Sequence, residues 1–292
     1  MTKVGEKLLI NLACTGLIPT KAMTPHIPVT HDEICWQAQF AIQQGVQMLH
    51  LHTRDADGEH NADPEPYGRL ISDIRALPGG QETVLVVTTS GRHRPDFGTR
   101  SAVLDLTGEQ KPDMASLTLS SLNFVNGASI NAPEVIRALA ARMKERHIKP
   151  ELEVFDLGMA NFVNVLVKEG LVESPVYVNV ILGNISGAQA NALHLSAILA
   201  ALPEDAIVSV GGIGRAQLMA NGLGVLITDG IRVGLEDNIW FDQQRTKLAT
   251  NNSLVERAIQ QAAMYERSLM SYGELRTKLN LPITSVPAPR SA

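Results

Sequence analysis

The densest group of chemically capable side chains in this 292-residue chain lies in HLHTRDADGEHNADPEPY, residues 50 to 67. His50 and His52 share a face if the segment is a β-strand, because residues i and i+2 point the same way. Two converging neutral imidazoles supply half of a Zn²⁺ site, which usually takes a third protein ligand and leaves one position open. The alternative is that these histidines only hydrogen-bond in the core. Arg54 and Asp55 are predicted to form a structural pair that braces the metal loop and orients an imidazole, with direct catalysis as the alternative.

A third ligand is available in RVGLEDN, residues 232 to 238. Alternation places Arg232, Gly234 and Glu236 on one face of a strand, and Asp237 lies where the strand gives way to a loop. A strand end that carries an arginine and two carboxylates is costly to desolvate without a functional reason. We therefore predict Glu236 as the third metal ligand beside the two histidines. The alternative for this glutamate is an ion pair with a surface lysine.

Eight β-rich apolar runs, each bounded by glycine, proline or polar residues, predict strands that would position these residues. They are residues 7–14, 47–54, 83–90, 114–121, 151–158, 176–183, 206–214 and 231–238. Helical patterns lie between them at 30–45, 63–77, 131–147 and 191–202, with weaker ones at 99–109 and 216–227. The first helix has Thr30 and Glu33 in the positions of a capping box. Eight alternating units predict a closed (β/α)8 TIM barrel, with a doubly wound open sheet as the alternative.

The barrel prediction gives the metal ligands a common location. Barrel active sites are built from βα loops at the C-terminal ends of the strands, and the predicted ligands lie at those ends of the second and eighth strands. The eighth strand adjoins the first in a closed barrel, so the ligands can meet across the mouth. No linker or low-complexity tract divides the chain. We predict one domain over residues 1–292, with a C-terminal surface arm from about residue 281.

Composition and charge argue against several partners. The net charge of −5 and the pI near 5.9 provide no basic face for nucleic acid. The chain has neither a signal-peptide pattern nor a run of about 18 apolar residues, so we expect no membrane partner and, by default, a cytoplasmic location. Cys14 and Cys35 lack C-x-x-C spacing and are expected to be reduced, packed thiols.

Four segments together resemble the β-keto acid cleavage enzyme family, whose founding activity is 3-keto-5-aminohexanoate cleavage. They are LHLHTRDADGEHNADPEPY, DMASLTLSSLNF, KPELEVFDLG and IRVGLEDN, and the likeness runs from about residue 8 to residue 280. The resemblance implies a zinc-containing (β/α)8 barrel, although His/His/Glu ligation also suits Mn²⁺, Co²⁺ or Ni²⁺. It also implies a tetrameric acyltransferase that uses acetyl-CoA as co-substrate. Such an enzyme converts a β-keto acid and acetyl-CoA into acetoacetate and an acyl-CoA by a retro-Claisen cleavage.

The same resemblance implies catalytic roles for Asp237 and Arg232 and pocket positions for Thr88, Ser116 and Glu153. An ionised Asp237 is expected to serve as the base beside the cationic arginine. The arginine is expected to hold a carboxylate or to stabilise an oxyanion. The threonine and serine would supply hydroxyl donors, with ordinary strand hydroxyls as the alternative.

The sequence departs from the family in its loops. Leu17 and Ile18 replace an acidic position that some members carry after the first strand, so a neutral or anionic substrate side chain is favoured over an amine. In SGRHRPDF, Arg92, His93 and Arg94 place up to three donors at the barrel mouth, where they would bind a distal carboxylate or the CoA phosphates. Lys21 in the first βα loop is a further candidate for binding a carboxylate or phosphate. A solvated side chain is the alternative for each of these cations.

Two other enzyme classes use a metal on the same barrel. Metal-dependent hydrolases usually carry further histidines on the fifth and sixth strands, but ELEVFD and VYVNVILG contain none. A CoA-independent zinc aldolase or lyase needs the same metal and base, so it stays open. A metal-sensing barrel would bind metal without turnover. Formation of a thioester product distinguishes the CoA-dependent reaction from all three.

Overall fold

The computed structural model describes residues 2–92 and 94–283 and contains a closed barrel of eight parallel strands. The strands are β1 Leu9–Ala13, β2 Met48–Leu51, β3 Val84–Val87, β4 Met114–Thr118, β5 Lys149–Val154, β6 Tyr177–Leu182, β7 Ile207–Gly212 and β8 Gly230–Val233. β1 pairs in parallel with both β2 and β8, which closes the sheet on itself. The predicted (β/α)8 TIM barrel is confirmed, and each predicted strand segment overlaps one observed strand.

The described ranges contain nine α-helices. They are α1 His31–Gln43, α2 Pro64–Arg75, α3 Phe97–Ser101, α4 Pro133–Glu145, α5 Leu157–Lys168, α6 Ala192–Ala201, α7 Ala216–Ile227, α8 Asn251–Met264 and α9 Tyr272–Lys278. α1 begins as predicted, since the Thr30 hydroxyl accepts from the Glu33 N–H and the Glu33 carboxylate accepts from the Thr30 N–H. The weak pattern at 216–227 is a complete helix. The pattern at 99–109 yields only the end of α3 and two short 3₁₀ turns.

Two short antiparallel hairpins extend the barrel at its C-terminal end. Thr53–Arg54 pairs with His60–Asn61 after β2, and Leu122–Phe124 pairs with Gly127–Ser129 after β4. Both hairpins are built into βα loops, so they shape the mouth of the barrel and leave its eight strands unchanged.

The N-terminal end of the barrel is filled by apolar side chains. Leu9, Met48, Val84, Val86, Met114, Tyr177 and Ile207 form one buried cluster with Leu275 of α9 and with Leu279, the residue that caps its C-terminus. The helix therefore acts as a plug, through Leu275 and Leu279, whose relative exposure is 0%. Because this end is closed, ligands can enter the barrel only from the opposite, C-terminal end.

Two sequence-based predictions lie partly outside this description. Most of the predicted C-terminal arm, residues 284–292, and His93 of the third βα loop are outside the described residues. Within the described ranges, no helix combines the length and the apolar character that crossing a membrane requires.

Candidate active site

Three predicted metal ligands converge at the C-terminal end of the barrel. His50 lies on β2 and His52 just beyond it, with relative exposures of 1% and 2%. Their Nε2 atoms are 3.2 Å apart. Glu236 Oε1 lies 3.3 Å from His52 Nε2 and 3.9 Å from His50 Nε2. Leu51, between the histidines, packs in the outer core between strands and helices, as strand alternation requires.

Two glycines make room for Glu236. A Cβ on Gly16 would lie 2.3 Å from Glu236 Cγ. A larger residue at position 16, in the first βα loop, would therefore displace the glutamate side chain. A Cβ on Gly234 would lie 2.0 Å from the Ala13 carbonyl oxygen, and Gly234 adopts φ of +146°, a region that L side chains rarely occupy. The end of β8 can therefore approach β1 closely and direct the glutamate at the histidines.

The cluster has the chemistry of a metal site. Among the residues that the structure describes, neither His52 Nδ1 nor Glu236 Oε2, both buried, has a hydrogen-bond partner. His50 Nδ1 lies 2.6 Å from Glu151 Oε2, and if the neutral ring donates there, its Nε2 lone pair points at the cluster. Two ring nitrogens and a carboxylate that face one another at about 3 to 4 Å fit a divalent cation with an open coordination position. The donor set therefore fits the zinc that the sequence predicts.

The electrostatics of the three groups differ with their neighbours. Burial lowers the pKa of His50, but the carboxylates of Glu151 and Glu236 outweigh it and raise that pKa above its ordinary value. Burial dominates at His52 and lowers its pKa. Burial pushes the pKa of Glu236 upward, but His52 and Arg232 hold it well below its ordinary value. The glutamate is therefore an anionic ligand over the physiological pH range.

Glu151 is a functional residue that sequence reasoning missed. It is fully buried on β5, where it faces His50 and accepts a hydrogen bond of 2.6 Å from Asn11 Nδ2. The family resemblance implies a role for Glu153, two positions later on the same face, and none for Glu151. The i, i+2 argument that found the histidines applies equally to ELE, so alternation would have found both glutamates.

Arg54 and Asp55 brace the metal loop, as predicted, but neither orients an imidazole. Arg54 donates to the carbonyl oxygens of Gly16, Pro19 and Gly58, at 2.8, 3.1 and 2.7 Å. The Asp55 carboxylate accepts from backbone N–H groups of its own turn. The arginine fastens the first βα loop to the second, and Glu151 faces the imidazole instead.

Arg232 of β8 links the metal cluster to a second carboxylate. Its Nε donates to Asp237 Oδ2 at 2.8 Å, and its NH2 donates to Asp237 Oδ1 at 3.2 Å and to Glu236 Oε1 at 2.7 Å. Its NH1 lies 3.6 Å from Glu153 Oε1 and has no hydrogen-bond partner. Burial raises the pKa of both Asp237 and Glu153 against the opposing effect of the arginine. A buried carboxylate with a raised pKa is suited to proton transfer.

A cavity of about 530 Å³ opens above these groups. It is lined at its base by His50, His52, Thr88, Thr118, Glu153, Arg232, Glu236 and Asp237. Its upper wall is largely apolar and includes Leu17, Ile18, Met23, Val125 and Ile185. A narrow charged base and an apolar wall fit a small polar head group that carries a longer chain.

The remaining predicted residues are divided between the cavity and its surroundings. Thr88 and Arg92 line the cavity. Ser116 does not line it, and its buried hydroxyl accepts from the Thr89 N–H at 3.3 Å. The hydroxyl that reaches the cavity from β4 is that of Thr118, which donates to Glu153 Oε2 at 2.6 Å.

Two predicted cations lie outside the main cavity. Arg94 is exposed and borders only a small neighbouring pocket. Lys21 Nζ donates to Glu33 Oε1 at 2.6 Å on the surface of the first βα loop. The structure thus brings Arg92 alone, of the three predicted binding cations, to the cavity wall.

Comparison with known proteins agrees with this geometry. A family model for beta-keto acid cleavage enzyme matches residues 7–281. The chain belongs to the beta-keto acid cleavage enzyme family. It is 31% identical over 281 residues to the 3-keto-5-aminohexanoate cleavage enzyme of Fusobacterium nucleatum, with 94% of this chain and 98% of that protein covered. It is 32% identical over 281 residues to the 3-oxoadipate:acetyl-CoA acetyltransferase of Cupriavidus necator, with 95% and 96% covered.

A solved structure shares the fold. ObcA in ternary complex with a C4-CoA adduct and oxalate superposes with a TM-score of 0.75 at 19% identity, covering 89% of this chain and 68% of that one. Across the ObcA structures compared, this chain spans 66% to 69% of the ObcA chain. The resemblance to the beta-keto acid cleavage enzyme family that the sequence predicts is confirmed, and the matched range contains every residue of the site.

Proposed function

We propose that this chain is a metal-dependent β-keto acid cleavage enzyme and an acyltransferase. In the proposed reaction, a β-keto acid and acetyl-CoA give acetoacetate and the CoA thioester of the remaining acyl chain. The carrying observation is that the His50, His52 and Glu236 cluster and the Arg232–Asp237 pair share one cavity. The names of the relatives, which include acetyl-CoA transferases of 3-oxo acids, support the reaction class.

The two histidines and Glu236 would hold the metal. The proposed ion is Zn²⁺, and when bound it would supply Lewis-acid polarisation of the substrate's keto group. Glu151 would fix the ring of His50, because a carboxylate on Nδ1 sets the orientation of a metal-binding imidazole. Mn²⁺, Co²⁺ and Ni²⁺ are compatible with the same donors, so the metal must be identified in the purified protein.

Asp237 is the proposed base. It would take a proton from C2 of the β-keto acid, and that carbon then attacks the acetyl carbonyl of acetyl-CoA. Arg232 would keep the aspartate in place through their two hydrogen bonds and would offer its unpartnered NH1 to a substrate oxygen. Thr88, at the cavity wall, would donate its hydroxyl to the substrate carboxylate. Glu153 stays a predicted contributor through its position opposite Arg232, whereas Ser116 lies outside the cavity lining and Thr118 supplies the β4 hydroxyl there.

The exchange is balanced without an oxidant or reductant. One carbon–carbon bond forms between C2 of the β-keto acid and the acetyl carbon, and the bond between C2 and C3 breaks. The CoA sulfur leaves the acetyl group and returns to C3, so one thioester is consumed and one is formed. The proton taken up by Asp237 returns to C2 of the acetoacetate product.

Mass spectrometry of the products tests the proposal. Metal-replete protein is incubated with acetyl-CoA and β-keto acids that have cationic, neutral or anionic side chains. We expect a new acyl-CoA together with acetoacetate, and loss of both in Asp237→Asn and His50→Ala. An assay of CoA-free samples in parallel identifies any cleavage that needs no thioester.

Two results would overturn the proposal. Cleavage of the β-keto acid at the same rate without acetyl-CoA would identify a zinc aldolase or lyase. Bound metal with no turnover of any substrate would identify a metal-binding barrel. The proposed tetramer, cytoplasmic location and single-domain organisation are separate predictions, which light scattering, cell fractionation and limited proteolysis would test.

A further inference from the structure

Arg92 is a cation that enters the cavity without a partner carboxylate. It lines the cavity wall from the third βα loop and is partly buried. No described carboxylate lies within 4.0 Å of its guanidinium, which stacks on the ring of Phe124. The three carboxylates of the cavity base, Glu153, Glu236 and Asp237, all face Arg232 instead. The described residues supply no anion that pairs with Arg92. A partner anion must therefore come from a ligand.

The loop that carries Arg92 is fastened in place by its own hydroxyl groups. The Thr88 hydroxyl accepts from the Ser90 N–H at 3.1 Å, and the Ser90 hydroxyl accepts from the Arg92 N–H at 3.3 Å. A Cβ on Gly91 would lie 2.7 Å from NH1 of Arg100, whose buried guanidinium is packed under the loop. The backbone is therefore held in the conformation that directs Arg92 inward before any ligand arrives.

The guanidinium lies flat on an aromatic ring. Arg92 Cζ is 3.6 Å from the ring centroid of Phe124, and Phe124 in turn packs edge to face against Phe155 at 5.8 Å. A stacked guanidinium keeps its N–H edge available, and that edge matches the two oxygens of a carboxylate. Burial lowers the pKa of Arg92, and the charges of Glu236 and Glu153 offset this only in part.

We propose that Arg92, stacked on Phe124, is a subsite for a second carboxylate at the far end of the substrate, so that the preferred substrates are β-keto dicarboxylic acids. This inference rests on the proposed function, since it concerns the same cavity. The neighbouring Val125 and Ile185 provide apolar contact for the methylene groups between the two ends. Leu17 and Ile18 leave no carboxylate in the first βα loop to receive an amine, and Arg92 would repel a cationic side chain at this end of the cavity.

A matched pair of six-carbon substrates tests the subsite. 3-Oxoadipate ends in a carboxylate and 3-oxohexanoate ends in a methyl group. With metal-loaded full-length chain and saturating acetyl-CoA, we expect kcat/KM to favour 3-oxoadipate by about tenfold or more, the range of a charge-assisted bidentate contact. Arg92→Gln is expected to remove this preference, chiefly by raising KM for 3-oxoadipate. Arg92→Lys is expected to retain part of it, because a point charge lacks the guanidinium fork.

Arg245→Gln is the matched control. Arg245 also lines the cavity and forms no ion pair with a described residue, but it is exposed and lies beside Gly214, across the mouth from the third βα loop. If the effect of Arg92 were only general attraction of anions, both variants would lower the substrate ratio alike. We expect the ratio to fall in Arg92→Gln alone. Circular dichroism and thermal melting of each variant confirm that the folded state is compared.

Calorimetric titration of both acids without acetyl-CoA separates the two proposals. Tighter binding of 3-oxoadipate that is lost in Arg92→Gln supports the subsite, even if no thioester forms and the proposed reaction fails. Thioester formation with equal kcat/KM for the two acids overturns the subsite and leaves the reaction standing. A rise in KM for acetyl-CoA alone in Arg92→Gln also overturns it, because Arg92 would then bind CoA.

Discussion

The two ends of the barrel each bury an arginine, and the two arginines are satisfied in opposite ways. Arg276 of α9, at the plugged end, is 1% exposed and donates to the carbonyl oxygens of Gln81, Glu82, Thr83 and Pro282, and to one carboxylate. Each of its three nitrogens has a partner. This is the arrangement of a group whose work is to join the plug to the barrel wall.

Arg232, at the open end, is 2% exposed and contacts carboxylates instead of carbonyls. One of its nitrogens, together with His52 Nδ1 and Glu236 Oε2, has no hydrogen-bond partner. Burial without a partner is expensive, so such atoms persist where a ligand or metal completes them. Within the described residues, buried atoms without a hydrogen-bond partner also occur elsewhere, as at Tyr67 Oη and Gln217 Oε1. The open end differs in that three such atoms belong to residues that line one cavity.

Of the substitutions at the two ends of the barrel, removing a metal ligand is expected to have the largest effect. His52→Ala should lose metal binding by more than about a hundredfold, beyond the 10 to 100-fold typical of residues behind the ligands, and lose turnover with it. Calorimetric titration with Zn²⁺ measures the affinity. Zinc addition should also raise the thermal stability of the wild type, but not that of the variant. His26→Ala, at an exposed histidine, is the control; equal affinity in both variants would contradict the assigned site.

Asp237→Asn is expected to leave the metal in place and to lower kcat by about 10² to 10⁴, the usual contribution of a positioned base. The amide keeps the shape of the carboxylate beside Arg232 but cannot take up the proton. Steady-state kinetics and metal analysis of the same sample measure the two quantities. A loss of kcat smaller than about tenfold, with metal bound, would assign proton transfer to another group.

A substitution at the plugged end of the barrel should change the stability of the protein and leave its activity unchanged. Arg276→Met removes one partner of a buried ion pair with Asp113 and leaves several carbonyls without donors, so we expect a loss of about 3 to 5 kcal/mol in the free energy of unfolding. Urea unfolding measures it, while kcat/KM of the folded fraction should not change. A changed kcat/KM at a temperature where the variant is folded would show that the two ends are coupled.

Glu151→Gln is expected to weaken metal binding by about 10 to 100-fold. The amide retains the side chain's size and its contact with Asn11, but it no longer gives His50 a charged partner. Zinc titration at constant pH measures the change. Asn179→Ala, which removes a weaker contact of 3.3 Å with the same carboxylate, is the milder comparison. An unaltered affinity in Glu151→Gln would mean that the orientation of His50 is set by packing alone.

The smallest expected effects come from two capping boxes, one at each end. Lys21–Glu33 and Lys7–Glu274 are surface pairs at 2.6 and 2.5 Å in which each carboxylate also caps a helix. The pKa of each glutamate is about 2: that of Glu33 is lowered by its lysine and backbone donors against burial, and that of Glu274 chiefly by Lys7. A lowered folded-state pKa stabilises the protein above the ordinary value of 4.5 and ceases to do so as pH falls through about 2.

Lys21→Gln and Lys7→Gln should therefore each lower the melting temperature slightly above pH 5, with the difference from wild type shrinking toward pH 2. Thermal unfolding across this range measures both. Equal small losses, with an unchanged KM for acetyl-CoA, would assign Lys21 to the surface. A KM for acetyl-CoA that rises in Lys21→Gln alone would support the predicted binding role of Lys21.

Strand alternation explains why much of the site could be predicted. The i, i+2 rule and barrel closure together fix which side chains meet at the mouth, and they require no knowledge of loops. His50, His52 and Glu236 were found in this way. Glu151 obeys the same rule, but the family resemblance implies a role for Glu153 alone.

Other features had no side-chain signature. The true partners of Arg54 are carbonyl oxygens, which every residue carries, so no spacing in the sequence identifies them. The same holds for the plug, since Arg276 is bound mainly by backbone. α5 was missed because its Asp156 cap, which accepts from the Met159 N–H, lies inside an apolar run that continues from the preceding strand. Here tertiary contacts decide where the strand ends and the helix begins.

The position of the plug in the chain has a consequence for synthesis. α9 comes after every barrel strand, so a chain growing from the ribosome completes all eight strands before Leu275 and Leu279 are made. At the usual translation rate of about 5 to 20 residues per second, the apolar layer around Met48 and Val84 stays uncovered for several seconds. During that interval the nascent barrel exposes the kind of surface that chaperones bind, and a ribosome stalled before α9 would release a product prone to aggregation.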